Sequence, residues 1–166
     1  MNLRIISREF IAELEEKAAQ SPRQRTHYNF HNSPDAAVQR LIVQLKRGTY
    51  IRPHRHIDLE KWEMALVLSG EVDMMLFNDD GTVKDRFRLA PAGKNIGLEL
   101  PPQAWHSYVP VSDQVTFFEV KEGPYDPARM SQFAPWAPAE ADPGVSDYLR
   151  WMTAAAVGER YRQQES

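Results

Sequence analysis

The chain contains no cysteine. That excludes a disulfide scaffold, a zinc ribbon, a thiol nucleophile and a cysteine-ligated iron–sulfur cluster. Any bound metal must therefore be held by His, Asp or Glu. Histidine is itself scarce, with five residues: His27, His31, His54, His56 and His106. No charge sign dominates: 20 Lys+Arg face 23 Asp+Glu, for a net −3. Nothing in that balance drives the chain toward nucleic acid or an acidic membrane. No apolar run approaches the ~20 residues of a membrane span. The residues up to Arg8 lack the apolar core of a secretion signal, so a cytoplasmic location is expected. Internal repeats and low-complexity segments are also missing. What is present is 166 residues. That suits one domain, able to bury roughly 70% of its unfolded surface without metal or disulfide.

The chain changes texture twice. Residues 7–20 read as a helix, with Ser7 as N-cap and Phe10, Ile11, Leu14 and Ala18 on one face. Ser21-Pro22 stops it. From Arg25 to about Val120, short runs of Val, Leu, Ile, Phe and Tyr alternate with Gly, Pro and Asn-Asp clusters. This is the pattern of a sandwich or barrel. Strands are predicted at 25–31, 38–46, 49–54, 63–69, 71–77, 83–89, 96–100, 105–110 and 115–120. Turns fall at Ser69-Gly70 and at Asn78-Asp79-Asp80-Gly81. No helix fits between the strands, so a parallel α/β sheet is not expected. Beyond Val120, Pro124, Pro127, Pro135, Pro138 and Pro143 crowd a segment whose Tyr125, Phe133 and Trp136 suggest that it lies on the barrel. Asp142 as N-cap and Pro143 at the first helical position then predict a helix running to about Arg162. The domain reading is a helical extension over 1–24, a barrel over 25–122, and a proline-rich segment with a C-terminal helix over 123–166.

Chemistry concentrates around the histidines. His54 and His56 are two apart, so on a strand both imidazoles share a face. Glu63 opens the next predicted strand, and an antiparallel return would set its carboxylate beside the pair. His106 opens a later strand. Three imidazoles and one carboxylate suit a divalent transition metal (Fe, Mn, Co, Ni or Zn) and are too nitrogen-rich for Ca or Mg. Such a set leaves positions open for water, dioxygen or substrate. Taken singly, a His-x-His pair is more often a solvated strand face, and Glu63 a surface carboxylate.

The whole arrangement is Gly48-x5-His54-x-His56, then Glu63-x6-Gly70, then Pro101-x4-His106. It resembles the two motifs of the cupin superfamily. The resemblance implies an all-β core, a double-stranded β-helix or jelly-roll flanked by N- and C-terminal helices. It implies a metal in one mouth of the barrel, with His54, His56, Glu63 and His106 as ligands. The sequence departs from the pattern in places. Glu63 follows His56 at a longer spacing than usual; Glu60 satisfies the usual spacing, but only Glu63 keeps the distance to Gly70. Gln103 and Pro110 stand where the second motif has Gly and Asn.

Further stretches narrow the resemblance. They are Arg23 to His31 with Val38-Gln39-Arg40, then Tyr50 to His56, then Phe118 to Tyr125 and Trp136 to Glu140. Over residues 20–140 the chain resembles the WbuC family of cupin-fold metalloproteins, whose members accompany surface-polysaccharide genes. Within the first stretch, Arg25, His27, Asn29 and His31 alternate with Thr26, Tyr28 and Phe30. That gives one polar and one largely apolar face. The polar face either meets solvent or lines the barrel mouth. In the second case Arg25, Asn29 and Arg52 are substrate-binding candidates, since an Arg fork suits carboxylate or phosphate. His27, His31 and Tyr125 become candidates for proton transfer. Arg55, between the two ligands, points to the opposite face. Glu119 and Lys121 share a face and read as an ion pair of little energy. Trp62 and Trp105 read as core.

Two functions fit. One is a metal-dependent enzyme (isomerase or epimerase, lyase or dioxygenase) acting on a small polar metabolite, a sugar or sugar-derived acid linked to surface-polysaccharide biosynthesis. The other is a non-catalytic, metal-dependent saccharide- or carboxylate-binding protein. A metal-free epimerase is a third possibility, against which the intact ligand set argues. The expected partners are a small-molecule ligand and a second copy of the chain. Pairing as a homodimer would cover exposed strand edges.

Overall fold

The computed structural model describes residues 3–57, 60–126 and 131–162. Helix α1 (Arg8–Gln20) is followed by β1 (Arg25–Asn29), β2 (Val38–Lys46), β3 (His54–Arg55), β4 (Glu63–Ser69) and β5 (Val72–Phe77). Then come β6 (Val83–Leu89), β7 (Gly97–Leu100), β8 (Trp105–Pro110), β9 (Gln114–Glu122), β10 (Gln132–Phe133) and α2 (Val145–Ala154). The strands form two five-stranded sheets, ordered β1-β2-β9-β4-β7 and β10-β3-β8-β5-β6. Strand pairing is antiparallel throughout both sheets. The all-β sandwich expected from the sequence is the fold observed. Among the described residues, no helix is long and apolar enough to cross a membrane.

Helix α1 covers the outer face of the first sheet. Ser7 Oγ accepts the Phe10 N–H at 3.2 Å and caps the helix. Leu14 and Ala18 are buried against the sheet. Phe10 meets Tyr28 edge-to-face with ring centroids 5.0 Å apart, and Phe30 continues the cluster to Phe118. The apolar face of β1 is thus used outward, beneath α1. Its alternate residues, Arg25, His27 and Asn29, are left facing the barrel interior.

The second sheet is covered on both sides, which explains why β8 is buried along its whole length. Tyr108 faces inward with Val72, Met74, Leu45, Phe117 and Leu100. Trp105, Val109, Met75 and Phe77 face outward, under Tyr148 and Met152 of α2 and Ala134 and Ala137 of the proline-rich segment. Each fully buried large apolar side chain contributes about 1.5–3 kcal/mol. By parity His106 shares the inward face of β8 with Tyr108.

The elements depart from the sequence reading in five places. Residues 49–53 are not a strand, because the carbonyls of Tyr50 and Ile51 accept from the side chains of Arg25 and Ser107 instead of a neighbouring strand. Strand β1 stops at Asn29, and beyond it His31 Nδ1 takes the Arg40 N–H at 3.1 Å. Helix α2 begins at Val145 rather than Pro143: Asp142 Oδ1 accepts the Gly144 N–H at 2.8 Å and builds a turn before the helix. It ends at Ala154, well short of Arg162, since the chain past Ala155 joins the edge of β6 through Gly158 N–H to Val83 O and Val83 N–H to Glu159 O. Strand β10, in the proline-rich segment, has no counterpart in the sequence reading.

Ser69-Gly70 is a crossing between the sheets, not a hairpin within one. Gly70 has φ +73°, and a Cβ there would stand 2.1 Å from the Gln114 carbonyl oxygen. Gly158 has φ +91° with open space around it. Gly158→Ala is therefore expected to cost only the backbone strain of about 1–2 kcal/mol. Gly70→Ala should cost clearly more, because the β4–β5 crossing must shift as well. Urea denaturation of the two variants side by side checks the ranking; equal losses would contradict it.

Candidate metal centre

Strand β3 contributes His54, which stands directly across from His106 of β8. His56 follows one residue beyond β3. The ring centroids lie 4.4 Å apart for His54–His106, and 5.6 Å for His54–His56 and His56–His106. One nitrogen from each ring falls within 4.8 Å of the other two, so the three could hold one metal ion. The remaining nitrogens fix the ring orientations. His54 Nδ1 lies 3.0 Å from the Arg52 carbonyl, and His106 Nδ1 lies 2.9 Å from the Ala104 carbonyl. Each Nδ1–H donates to its carbonyl, which leaves the Nε2 lone pair for a ligand position. His106 Nε2 is buried and has no hydrogen-bond partner among the described residues. A buried nitrogen lone pair without a donor fits metal coordination and is otherwise unfavourable.

The fourth group arrives from the opposite sheet. Strand β4 does not pair with β3, contrary to the antiparallel return expected from the sequence; Glu63 reaches across the barrel instead. It can do so because Glu63 occupies an inward position at the start of β4, only 3% exposed. Its Oε2 is 2.7 Å from His56 Nε2 and its Oε1 is 3.9 Å from His106 Nε2. Tyr108 donates its hydroxyl to Glu63 Oε1 at 3.3 Å. Glu60 is exposed.

Electrostatics suit a cation. Burial raises the Glu63 pKa, but the His56 hydrogen bond and the Lys121 charge overcome it and hold the carboxyl well below its ordinary range. Burial, then the neighbouring rings of His106 and His56, push His54 down to about 3. Burial likewise lowers His106. His54 and His106 are thus neutral and the carboxylate ionised at neutral pH, the protonation states a metal requires. Three nitrogens and one carboxylate fit Fe, Mn, Co, Ni or Zn.

A cavity of about 200 Å³ adjoins this centre at His54 and Glu63, lined in part also by His27, Tyr108, Glu119 and Lys121. Lys121 Nζ bonds Glu119 Oε1 at 2.7 Å and lies 3.9 Å from Glu63 Oε2. This pair is buried inside the barrel, not on the surface. Burial raises the Glu119 pKa, and the Glu119 and Glu63 charges hold Lys121 above its ordinary value despite its burial. Burial, with Lys121 nearby, lowers His27, so its ring is neutral. A second chamber of about 320 Å³ shares His27, Leu41 and Lys121 with the first and is lined further by Asn29, His31, Gln39 and Tyr125. A wider groove of about 980 Å³ along α2 contains no imidazole and is open to solvent.

The polar face of β1 therefore lines the barrel mouth. His27 is brought to the metal cavity, whereas Asn29, His31 and Tyr125 line the outer chamber. Arg25 borders the cavity, but its guanidinium is taken by Glu140 and by the Tyr50 carbonyl at 2.8 Å. Arg52 is not brought to the cavity. With residues 49–53 off the strand, its side chain donates to Ala134 O at 2.8 Å and lies over the Phe133 ring. Arg55 points away as expected, over Trp105. Tyr108 and Gln39 escaped the sequence reading; the i+2 parity from His106 and the inward parity of β2 would have found them.

Glu140 ties the proline-rich segment to the barrel through Arg23 and Arg25. Burial alone would raise its pKa, but the Arg23 hydrogen bond and the Arg25 charge outweigh it and lower the pKa. The contribution is present above the ordinary carboxylate pKa and is lost as pH falls through the lowered one. Glu140→Gln is expected to destabilise by about 1–2 kcal/mol at pH 7. The difference from wild type should vanish on acidification, as denaturation at a series of pH values would show. A constant difference would contradict the ion-pair origin.

Comparison with known proteins supports the fold. No curated protein matches the sequence. The capsular polysaccharide assembling protein CapF from Staphylococcus aureus is 20% identical, with TM-score 0.54 over 64% of this chain and 28% of CapF. A cupin-2 domain from Rhodospirillum rubrum is 16% identical, with TM-score 0.51 over 76% of this chain and 78% of that one. The DMSP lyase DddQ from Ruegeria pomeroyi is 15% identical, with TM-score 0.52 over 70% and 54%. The chain spans less than a third of CapF and about half of the lyase. At these identities the likeness establishes a cupin fold. A family profile described as a domain of unknown function, DUF6016, matches residues 6–89, which carry His54, His56 and Glu63. Since that match covers just over half of the sequence, the chain belongs to the DUF6016 family, and its barrel has the cupin fold.

Proposed function

We propose that this cupin is a metal-dependent enzyme acting on a small polar metabolite, a sugar or sugar-derived acid. The observation that carries the metal is His106 Nε2, buried and unpartnered beside two further imidazoles and an ionised carboxylate. His54, His56, Glu63 and His106 would hold a divalent transition metal, which when bound supplies Lewis-acid polarisation of a substrate oxygen. The Tyr108 hydroxyl keeps Glu63 oriented. Lys121, fixed by Glu119, offers a cation to an acidic substrate group. His27, neutral and in the same cavity, can take a proton on a ring nitrogen. His31 and Tyr125 are assigned to substrate contact in the outer chamber rather than to proton transfer.

The resemblance to the WbuC family supports a place in surface-polysaccharide biosynthesis, and the CapF likeness points the same way. Pairing into a homodimer through the β1 or β7 edge is part of this reading. The test uses metal-loaded protein and a panel of sugar acids and sugar nucleotides. Thermal shift identifies a ligand, and NMR of the mixture identifies a product. His27→Ala should keep the thermal shift and lose turnover by about 10²–10⁴-fold. Binding with no product would instead establish a non-catalytic, metal-dependent saccharide- or carboxylate-binding protein.

A further inference from the structure

The inner face of the first sheet grows polar in one direction only. Gln39 of β2, Lys121 of β9 and Glu63 of β4 are direct cross-strand neighbours, forming a row that starts at the metal centre and runs outward. The row ends in the outer chamber, where His31 and Asn29 of the β1 side and Tyr125 join it. Gln39 is 2% exposed. Its amide nitrogen donates to Pro34 O at 3.0 Å and to Ala36 O at 2.7 Å. Two carbonyl acceptors leave no choice of amide orientation, because only the NH₂ end can satisfy both. The Oε1 end is therefore fixed as an acceptor, and it has no partner among the described residues. A buried carbonyl oxygen held rigidly without a donor is unfavourable in itself. It matches a ligand that brings a hydroxyl or amine hydrogen.

We propose that the outer chamber is a hydroxyl-recognising subsite, in which Gln39 Oε1 accepts from a substrate hydroxyl while the acidic end of the same molecule lies toward Lys121 and the metal centre. This rests on the sugar-acid reading and sharpens it to a polyhydroxylated acid long enough to span both chambers. Asn29, His31 and Tyr125 supply further hydrogen bonds at the open side. Rejection of a dehydroxylated analogue follows, since it leaves the Gln39 oxygen unpaired.

Glucarate and adipate test this, being dicarboxylates of equal chain length that differ only in the hydroxyls. Titration calorimetry on metal-loaded wild type should show glucarate bound more tightly by about tenfold or more. Gln39→Leu should abolish the preference with unchanged metal content. Because Gln39 also anchors the 34–36 turn, Asn29→Trp provides a second variant, which fills the chamber from β1 and leaves the Gln39 amide contacts alone; it too should abolish the preference. A glucarate preference that survives both variants would overturn the subsite and leave the sugar-acid reading intact. Absence of glucarate binding to metal-loaded wild type would overturn both.

Discussion

His106→Ala should leave a folded protein that no longer gains stability from metal. Wild type at free metal a hundredfold above its dissociation constant should gain about 2.7 kcal/mol over the chelated protein, by mass action alone. The gain depends on a preformed set of imidazoles, two of them oriented by carbonyl hydrogen bonds, and on Glu63 held ionised. Removing His106 takes away a ring nitrogen with no partner among the described residues, so the metal-free protein loses only ring packing and the single hydrogen bond from Nδ1 to the Ala104 carbonyl. Glu63→Gln keeps the shape and removes the charge, and should weaken metal binding less completely. Denaturation with and without chelator, for wild type and both variants, reads these effects. Full metal stabilisation of His106→Ala would show that the ion binds elsewhere.

Asp73→Ala should be strongly destabilising although it lies outside the metal centre. Asp73 faces outward from β5 yet is 2% exposed, because α2 covers it. Its carboxylate bonds Arg86 at 2.7 Å and Arg88 through two nitrogens. Arg86 in turn donates to the carbonyls of Met152, Thr153 and Ala155. Two of these are carbonyls of the last turn of α2 and the third belongs to its C-cap, Ala155; no helical N–H can satisfy them. One carboxylate thus orients the arginine that terminates the helix. Its loss leaves a half-buried cation unpaired and frees the end of α2, for about 3 kcal/mol. Equilibrium unfolding in urea measures it. A loss below about 1 kcal/mol, the range of exposed ion pairs, would show that the helix end is held by packing alone.

The sequence carried the sandwich and its ligand set because those depend on short-range parity. His54 and His56 share a face by spacing, and Glu63, Ala65 and Val67 alternate inward along β4. What it could not carry were relations set by pairing partners distant in the chain. Glu63 faces the histidines across the barrel and not along a shared sheet. Arg52 has the parity of a ligand neighbour, but Ala134 and Phe133, some eighty residues on, claim it. Lys121 and Glu119 look like a surface pair until β2 and β4 are placed on either side of β9. Gln39 stands in a stretch that carries the family resemblance, but its role comes only from the two carbonyls that fix its amide.

The most direct test of the metal centre is X-ray absorption at the cobalt edge, on protein stripped with chelator and reconstituted with Co(II). Three imidazoles and a carboxylate from this chain should give a shell of nitrogen and oxygen, with multiple scattering from three histidine rings, falling to two in His106→Ala. A shell of oxygen alone, or failure of the stripped protein to take up one equivalent of the ion, would contradict a metal centre built on His54, His56, Glu63 and His106.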